Sequence, residues 1–250
     1  MIKIKTKSFE LAVSTLGNES ADNFALVLPG RLDTKDYENM KGHVTYLASK
    51  GYFAVSFDPP GSWESAGGIE LYTMTNYLKA INELIEYYGN KPTLLLGHSR
   101  GGSMAVLAGL RNPFVTKFIA IFSACSYAPG KYSGNPDLEW KKQGYKINKR
   151  DVPGKESEFV EYKLPYSFVE DSGQYDMYEE LSKSTKPKLF VYGTRDELVP
   201  PALAKEVYEV ASEPKELASI NSDHDYRRHP KLIDEVNVIV GKFLDKYENG

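Results

Sequence analysis

The sequence predicts an α/β fold in which a mostly parallel central sheet is flanked by helices on both faces. Short apolar runs such as 24–28, 52–57 and 118–122 are typical of strands buried on both faces. These runs alternate along the chain with segments of helical periodicity, an order that favours parallel strands joined by helices. With 250 residues, of which 41% are hydrophobic, the chain is large enough to bury one such core.

Composition and charge exclude several classes of function. A net charge of -3 gives no basic surface for nucleic acid, and no apolar run approaches the length of about 18 residues that a membrane span needs. The N-terminal residues 1–7 alternate like a strand and lack the apolar core of a signal peptide. We therefore expect a cytoplasmic protein, or an exported one whose leader has been removed. Because Cys125 is the single cysteine, we expect a small buried side chain and neither a disulfide nor a zinc cluster.

The first half of the chain alternates strands and helices as this fold requires. Residues 2–7 and 9–16 alternate in polarity, which predicts two antiparallel strands at one edge of the sheet. The run 24–28 stops at Pro29-Gly30, because proline cannot continue a central strand. In chain order, the remaining predicted elements of this half are a helix over 34–49, a strand over 52–57 and a helix over 73–88.

The motif of greatest interest is a very short turn around Ser99. Residues 93–96 predict a buried strand and 103–110 predict a helix packed on the sheet, which leaves almost no chain between them. Gly97 and Gly101 supply the small residues that such a sharp bend needs. The turn would hold the Ser99 hydroxyl at its apex, clear of the sheet.

This strand, G-x-S-x-G turn and helix resemble the nucleophile elbow of the α/β-hydrolase superfamily. The resemblance implies the α/β-hydrolase fold with Ser99 as nucleophile. It also gives a meaning to residues 126–186, which are rich in Tyr, Gly, Pro and charge and interrupt the alternation. Members of this superfamily that have a cap or lid usually insert it at that position, so we expect a core formed by 1–125 and 187–250 and a cap/lid insertion over 126–186. The alternative is a surface excursion whose aromatic residues pack on one another.

After the insertion the sheet is predicted to resume. The predicted elements are a strand over 188–192, a helix over 201–211, a strand over 217–220 and an amphipathic helix over 230–247.

A serine nucleophile needs a base, and His224 is the best of the four histidines. It follows the last strand, at the edge of an open α/β sheet where ligands bind. His98 adjoins Ser99 but should project away from the hydroxyl, while His43 and His229 are expected to be solvated or to cap helices.

The orienting carboxylate is assigned by the resemblance. Gly193-Thr-Arg-Asp-Glu-Leu-Val-Pro200 is similar to the superfamily's acid turn, which places Asp196 in that role and leaves Glu197 as the nearest competitor. The order Ser99, Asp196, His224 is the chain order of this fold.

The resemblance also implies two backbone N–H groups that bind the oxyanion. One belongs to Arg100, directly after the nucleophile, and the other to Arg31, with Leu32 as a close alternative. Here Pro29-Gly30-Arg31 stands where many members have His-Gly. The loop Asp58–Ser65 also resembles the superfamily's D-x-x-G-x-G-x-S loop, with Trp63 in place of its second glycine, and we expect it to support one wall of the site. We expect substrate contacts from Leu32, Trp63, His98, Tyr127 and Trp140.

These features predict a serine hydrolase for carboxylic esters of small to medium, largely uncharged substrates. Neither a metal nor an organic cofactor is needed, and the partner would be the small ester substrate; oligomeric state is left open. One alternative is a serine peptidase for short peptides, in which acidic residues of the insertion would bind a substrate amine: Glu156, Glu158, Glu161, Glu170 and Asp171. Another is a non-catalytic binding protein on the same scaffold.

Overall fold

A central sheet runs through the part of the protein that the computed structural model describes, residues 2–128 and 138–247. The strands of these residues are β1 (Ile2–Lys5), β2 (Glu10–Leu16), β3 (Phe24–Leu28), β4 (Phe53–Phe57), β5 (Thr93–His98), β6 (Val115–Ile121), β7 (Tyr145–Val152), β8 (Lys155–Pro165), β9 (Lys188–Gly193) and β10 (Lys215–Ile220). The order across the sheet is β1-β2-β4-β3-β5-β6-β9-β10, and β7 and β8 pair separately. Only the β1–β2 and β2–β4 pairings of this sheet are antiparallel.

Helices cover both faces of this sheet. They are α1 (Glu38–Ser49), α2 (Met74–Tyr87), α3 (Arg100–Arg111), α4 (Leu138–Gln143), α5 (Ser167–Ser172), α6 (Tyr178–Leu181), α7 (Pro201–Val210) and α8 (Pro230–Tyr247). One buried cluster joins the sheet to α1 and α8, and a second joins the opposite face to α2, α3 and α7. The predicted mostly parallel α/β fold is therefore confirmed.

Helix α1 begins four residues later than the sequence predicts. Thr34 Oγ1 and the Lys35 backbone N–H both donate to Asp58 Oδ1, at 2.7 and 3.0 Å. Lys35 Nζ also forms ion pairs with Asp58 and Glu64, at 3.2 and 2.6 Å. Because this buried polar cluster fixes the chain before Glu38, residues 34–37 tie the α1 entrance to the 58–65 loop and lie outside the helix.

The segment 126–186, named the insertion below, contains short elements of its own. Strands β7 and β8 form an antiparallel hairpin, and α4, α5 and α6 flank it. Contacts that hold this segment on the sheet domain include Trp63 N–H donating to Tyr162 Oη at 3.0 Å, Arg227 donating to both Asp151 carboxylate oxygens, and Thr75 donating to Asp171. Residues 129–137, together with the Glu156 side chain, lie outside the described part of the chain.

The interpretation of His43 as a solvated or capping residue is wrong. Its ring is fully buried between α1 and α8. Nδ1 lies 2.7 Å from Asn237 Oδ1, and Nε2 lies 2.7 Å from Tyr226 Oη. A neutral ring that donates from Nδ1 and accepts the tyrosine proton at Nε2 satisfies both contacts. Burial lowers the pKa of His43 to about 4, despite the hydrogen bond to Asn237.

The free energy of unfolding should therefore fall on acidification. In unfolded chains the histidine pKa is about 6.5, so between about pH 6.5 and about pH 4 the unfolded state binds a proton that the folded state excludes. This one group should cost on the order of 3 kcal/mol once the pH reaches the lower limit. Urea unfolding of the wild type and of His43→Gln between about pH 7 and about pH 5 isolates the effect, because the variant should lose less stability over this range.

The exposed His229 provides the matched control, and His229→Gln should keep the wild-type pH dependence. Equal losses of stability in the wild type and in His43→Gln would contradict the assignment.

Candidate active site

Ser99 stands at a sharp turn between β5 and α3. Its backbone has φ 52° and ψ -120°, a left-handed conformation that is strained for a residue with a side chain. Ser99 is the N-cap residue of α3, yet its hydroxyl makes no capping hydrogen bond. The hydroxyl instead faces His224, so the turn directs it out of the sheet as the sequence predicts.

Glycines make the turn possible by close packing. A Cβ atom on Gly97 would collide with the backbone carbonyl of Gly101, and one on Gly101 would collide with the carbonyls of Leu28 and Pro29. The start of α3 can therefore lie directly on β3 and β5 only because both positions lack a side chain.

The structure brings Ser99, His224 and Asp196 together in one chain of hydrogen bonds. Ser99 Oγ donates to His224 Nε2 at 2.9 Å, and His224 Nδ1 donates to Asp196 Oδ2 at 2.7 Å. The turn after β9 carries Asp196, and the loop after β10 carries His224. Since β9 and β10 are parallel neighbours, their carboxyl ends place these two side chains at the same edge of the sheet.

Asp196 is fixed on its other side by backbone groups. The N–H groups of Leu198 and Val199 donate to its Oδ1 at 2.9 and 2.8 Å. Its side chain is fully buried, whereas Glu197 is exposed. Of the two acidic residues weighed in the sequence, Asp196 is the one that contacts the histidine.

Two backbone N–H groups remain open beside Ser99. Neither Arg31 N–H nor Arg100 N–H has an acceptor within hydrogen-bond distance among residues 2–128 and 138–247. Leu32 N–H, by contrast, donates to Tyr72 Oη at 2.7 Å. The alternative prediction, that Leu32 N–H binds the oxyanion, is therefore corrected, because that N–H already donates to Tyr72. The Leu32 side chain is also fully buried.

A cavity of about 870 Å³ opens over Ser99 and His224, with the insertion forming its opposite wall. His98, Tyr127 and Trp140 line it, as predicted for substrate contacts. Leu32 and Trp63 do not, so their assignment to substrate binding is corrected. Trp63 Nε1 donates to Leu32 O at 2.9 Å, and both side chains pack in the aromatic cluster beneath the insertion.

His98 is buried and supports the loop that carries His224. Its Nε2 donates to the His224 carbonyl at 3.1 Å, and its Nδ1 lies 3.7 Å from Asp33 Oδ2. Burial raises the pKa of Asp33, but His98 and Arg150 outweigh that effect and hold it below its usual range. The contact of His98 with the backbone of residue 224 was not predicted from the sequence.

Charged side chains form much of the cavity wall. Arg31, Arg100, Arg150 and Arg227 line it together with Lys141 and Lys146, against the carboxylates Asp33, Glu170 and Asp225. Sequence reasoning missed Asp33, Tyr72 and Arg150 at this site. Only Asp33, two residues after Arg31, lay close enough to a predicted site residue to be found.

Most of the acidic residues considered for a peptidase lie away from the cavity. Glu158 and Glu161 are exposed and form ion pairs with Lys155 and Lys149, at 2.9 and 2.7 Å. Asp171 accepts from Thr75. Glu170 lines the cavity, and the Glu156 side chain is outside the described residues.

The described residues offer neither a helix suited to a membrane nor a cluster suited to a metal ion. None of the helices resolved in 2–128 and 138–247 combines the length and apolarity needed to cross a bilayer. Over the same residues, no three His, Cys, Asp or Glu side chains lie together in a way that could hold a metal ion.

Comparison with known proteins places these observations in a family. The sequence model of the alpha/beta hydrolase fold family matches residues 26–154, just over half of the chain. A mitochondrial palmitoyl-protein thioesterase, ABHD10 of Rattus norvegicus, is 23% identical over 176 residues, which cover 70% of this chain and 59% of the relative. The human protein of that name is 24% identical over 70% of this chain and 57% of its own. The matched region thus spans less than two thirds of these relatives.

Solved structures give the same fold. Est1E from Butyrivibrio proteoclasticus, solved with ferulic acid bound, superposes with a TM-score of 0.79 over 100% of both chains at 18% identity. Mouse alpha/beta hydrolase domain-containing protein 10 superposes with a TM-score of 0.75 over 98% of both chains at 22% identity. At such identities the likeness establishes the fold and leaves substrate open.

Gly101→Ala should destabilise the protein although alanine favours helices. The new methyl group would collide with two backbone carbonyls that have little freedom to move, and overpacking of this kind costs about 1–3 kcal/mol. Gly173→Ala is the matched control, because its Cβ atom would meet only ordinary contacts, 3.4 Å or more away, and the change should stay within about 0.5 kcal/mol. Urea unfolding measures both, and equal stability of the two variants would show that the turn is not sterically closed.

Proposed function

We propose, from the premise that this chain belongs to the alpha/beta hydrolase family, that it is a serine hydrolase which cleaves carboxylic esters through an acyl-enzyme on Ser99. The observation that carries the proposal is the continuous hydrogen-bond chain from Ser99 through His224 to Asp196. A neutral serine hydroxyl is a weak nucleophile, and a neighbouring base held by a carboxylate is the arrangement that activates it.

In the proposed acylation, His224 Nε2 removes the Ser99 proton while Oγ attacks the substrate carbonyl carbon. Asp196 holds the imidazole through Nδ1 and stabilises the positive charge that the ring gains. The N–H groups of Arg31 and Arg100 bind the developing oxyanion. When the tetrahedral intermediate collapses, the carbonyl–oxygen bond to the leaving group breaks, and the proton on Nε2 passes to the departing alcohol.

Deacylation repeats these steps with water. His224 takes a proton from water as its oxygen attacks the acyl carbon, and it returns the proton to Ser99 Oγ as that bond breaks. The products are a carboxylic acid and the regenerated enzyme. Atoms and protons balance over the two steps without any reactant other than the ester and water.

Thioesters are the second candidate substrate, because two of the relatives reported above are named as thioesterases. The same acyl-enzyme would form, with a thiol leaving in place of the alcohol. The peptidase alternative has weaker support, since Glu158, Glu161 and Asp171 are engaged outside the cavity. A purely binding role gives no account of the Ser99–His224–Asp196 chain.

Ser99→Ala should abolish hydrolysis of p-nitrophenyl acetate and butyrate and prevent labelling by a fluorophosphonate probe, because both reactions need the same oxygen nucleophile. Ser123→Ala is the matched control: it removes a nearby buried hydroxyl that has no hydrogen-bond partner within the described chain, and it should keep activity. Running acyl thioesters and aminoacyl anilides beside the esters ranks the candidate classes. A wild-type protein that neither reacts with the probe nor turns over any of these compounds would end the proposal.

Asp196→Asn should leave folding intact and lower turnover of the same esters by about three to four orders of magnitude, because an amide no longer fixes the imidazole in the required tautomer. Glu197→Gln, a neutral substitution at the adjacent exposed residue, should retain near wild-type rates. Steady-state kinetics with circular dichroism as a check on folding measures both variants. Loss of activity in Glu197→Gln alone would transfer the orienting role to Glu197.

A further inference from the structure

Three arginines converge on the cavity beside Ser99. Arg31 follows β3, Arg100 begins α3 directly after the serine, and Arg150 reaches in from β7 of the insertion. Arg150 Nη2 donates to the backbone carbonyl of Arg31.

Carboxylates compensate this charge only in part. Arg31 is an exposed residue, and its side chain has neither a hydrogen bond nor an ion pair with any residue in the described ranges. Arg100 is 8% exposed and donates from Nη1 to Ser172 Oγ at 2.9 Å, and it too lacks a carboxylate partner there. Arg150 lies 3.7 Å from Asp33 Oδ1, and Asp33 also faces His98.

The other charged groups of the wall have different arrangements. Asp225 accepts from Arg227 Nε at 2.7 Å, and Asp151 accepts from both terminal nitrogens of the same arginine. Glu170 is an exposed residue of α5. The excess of positive charge therefore lies with Arg31, Arg100 and Arg150.

Two aromatic rings pack against the guanidinium group of Arg100. Its guanidinium carbon lies 4.2 Å from the ring centre of Tyr127 and 4.7 Å from that of Phe168. These contacts engage the aromatic rings, and only Nη1 donates to a described residue, so the other N–H groups can donate paired hydrogen bonds to an anion. Arg100 is a largely buried cation without a carboxylate partner in the described residues, which is costly, and an anion bound beside it offsets that cost.

We infer that this cavity selects esters that carry an anionic oxygen group, a carboxylate or a phosphate, which Arg31 and Arg100 bind while Arg150 supports them. This inference rests on the proposed function of Ser99 and specifies its substrate class. It replaces the expectation of largely uncharged substrates, which took no account of the charge brought into the site by the insertion and the β3 loop.

Matched pairs of esters test the inference. On the alcohol side, 4-acetoxybenzoate is compared with neutral 4-acetoxybenzamide, and 4-acetoxyphenyl phosphate extends the comparison to a phosphate. On the acyl side, mono-p-nitrophenyl glutarate is compared with p-nitrophenyl hexanoate. In at least one pair, kcat/KM for the anion should exceed that for the neutral ester by about tenfold or more, and the pair that does so identifies the side and the type of anion.

Arg31→Gln should reduce this anion-to-neutral ratio at least about tenfold, and Arg31→Lys should restore part of it because charge is kept. The ratio is the readout because any general effect on turnover cancels in it. Lys205→Gln is the matched control. It removes one positive charge from an exposed position on α7, outside the cavity, and should leave the ratio unchanged. Ratios near one in the wild type, or equal losses in Arg31→Gln and Lys205→Gln, would overturn the inference.

Binding to Ser99→Ala separates this inference from the proposed function. Isothermal titration with 4-acetamidobenzoate and neutral 4-acetamidobenzamide should show tighter binding of the anion, and Arg31→Gln in the same background should remove the difference. Anion binding without Ser99-dependent hydrolysis would refute the hydrolase and keep the arginine site. Ser99-dependent hydrolysis without any preference for anions would refute the arginine site and keep the hydrolase.

Discussion

The site depends on a single constraint, the left-handed backbone at Ser99. This backbone joins β5 to α3 over very few residues and puts a hydroxyl at the sheet edge, while the helix packs directly against β3. The strain at Ser99 is sustained because Gly97 and Gly101 allow close packing and because Ser99 N–H donates to Ile121 O at 2.8 Å. Every other part of the site is arranged around a hydroxyl fixed in this manner.

The imidazole and carboxylate reach that hydroxyl through sheet topology. Parallel pairing of β9 with β10 brings the loops carrying Asp196 and His224 to one edge, and backbone N–H groups of Leu198 and Val199 then fix the carboxylate. The loop at residue 224 is held further by His98, which precedes the serine. Support for the histidine therefore comes from the same turn that presents the nucleophile.

The sheet, the helices and the set of Ser99, Asp196 and His224 could be predicted because each depends on local features of the sequence. Those features are apolar runs, glycines and turn residues. Contacts between distant segments were out of reach. In the sequence His43 has the pattern of a surface helix residue, and only the packing of α8 buries it. Leu32 was a possible oxyanion donor, but its N–H donates to the Tyr72 hydroxyl, 40 residues away. The arginine cluster could not be predicted for the same reason, since Arg150 contacts Arg31 only once the β7–β8 hairpin has packed on the sheet domain.

Tyr72 links two separate segments beside the site. Its hydroxyl accepts a hydrogen bond from the Leu32 N–H, next to Arg31, while its ring stacks on Phe168 of the insertion at 5.7 Å between ring centres. One aromatic pair thus connects the loop after β3, which carries the Arg31 N–H, with α5 of the insertion. A substitution at Phe168 would therefore act through Tyr72 on the backbone beside Arg31, although Phe168 itself belongs to a different segment of the chain.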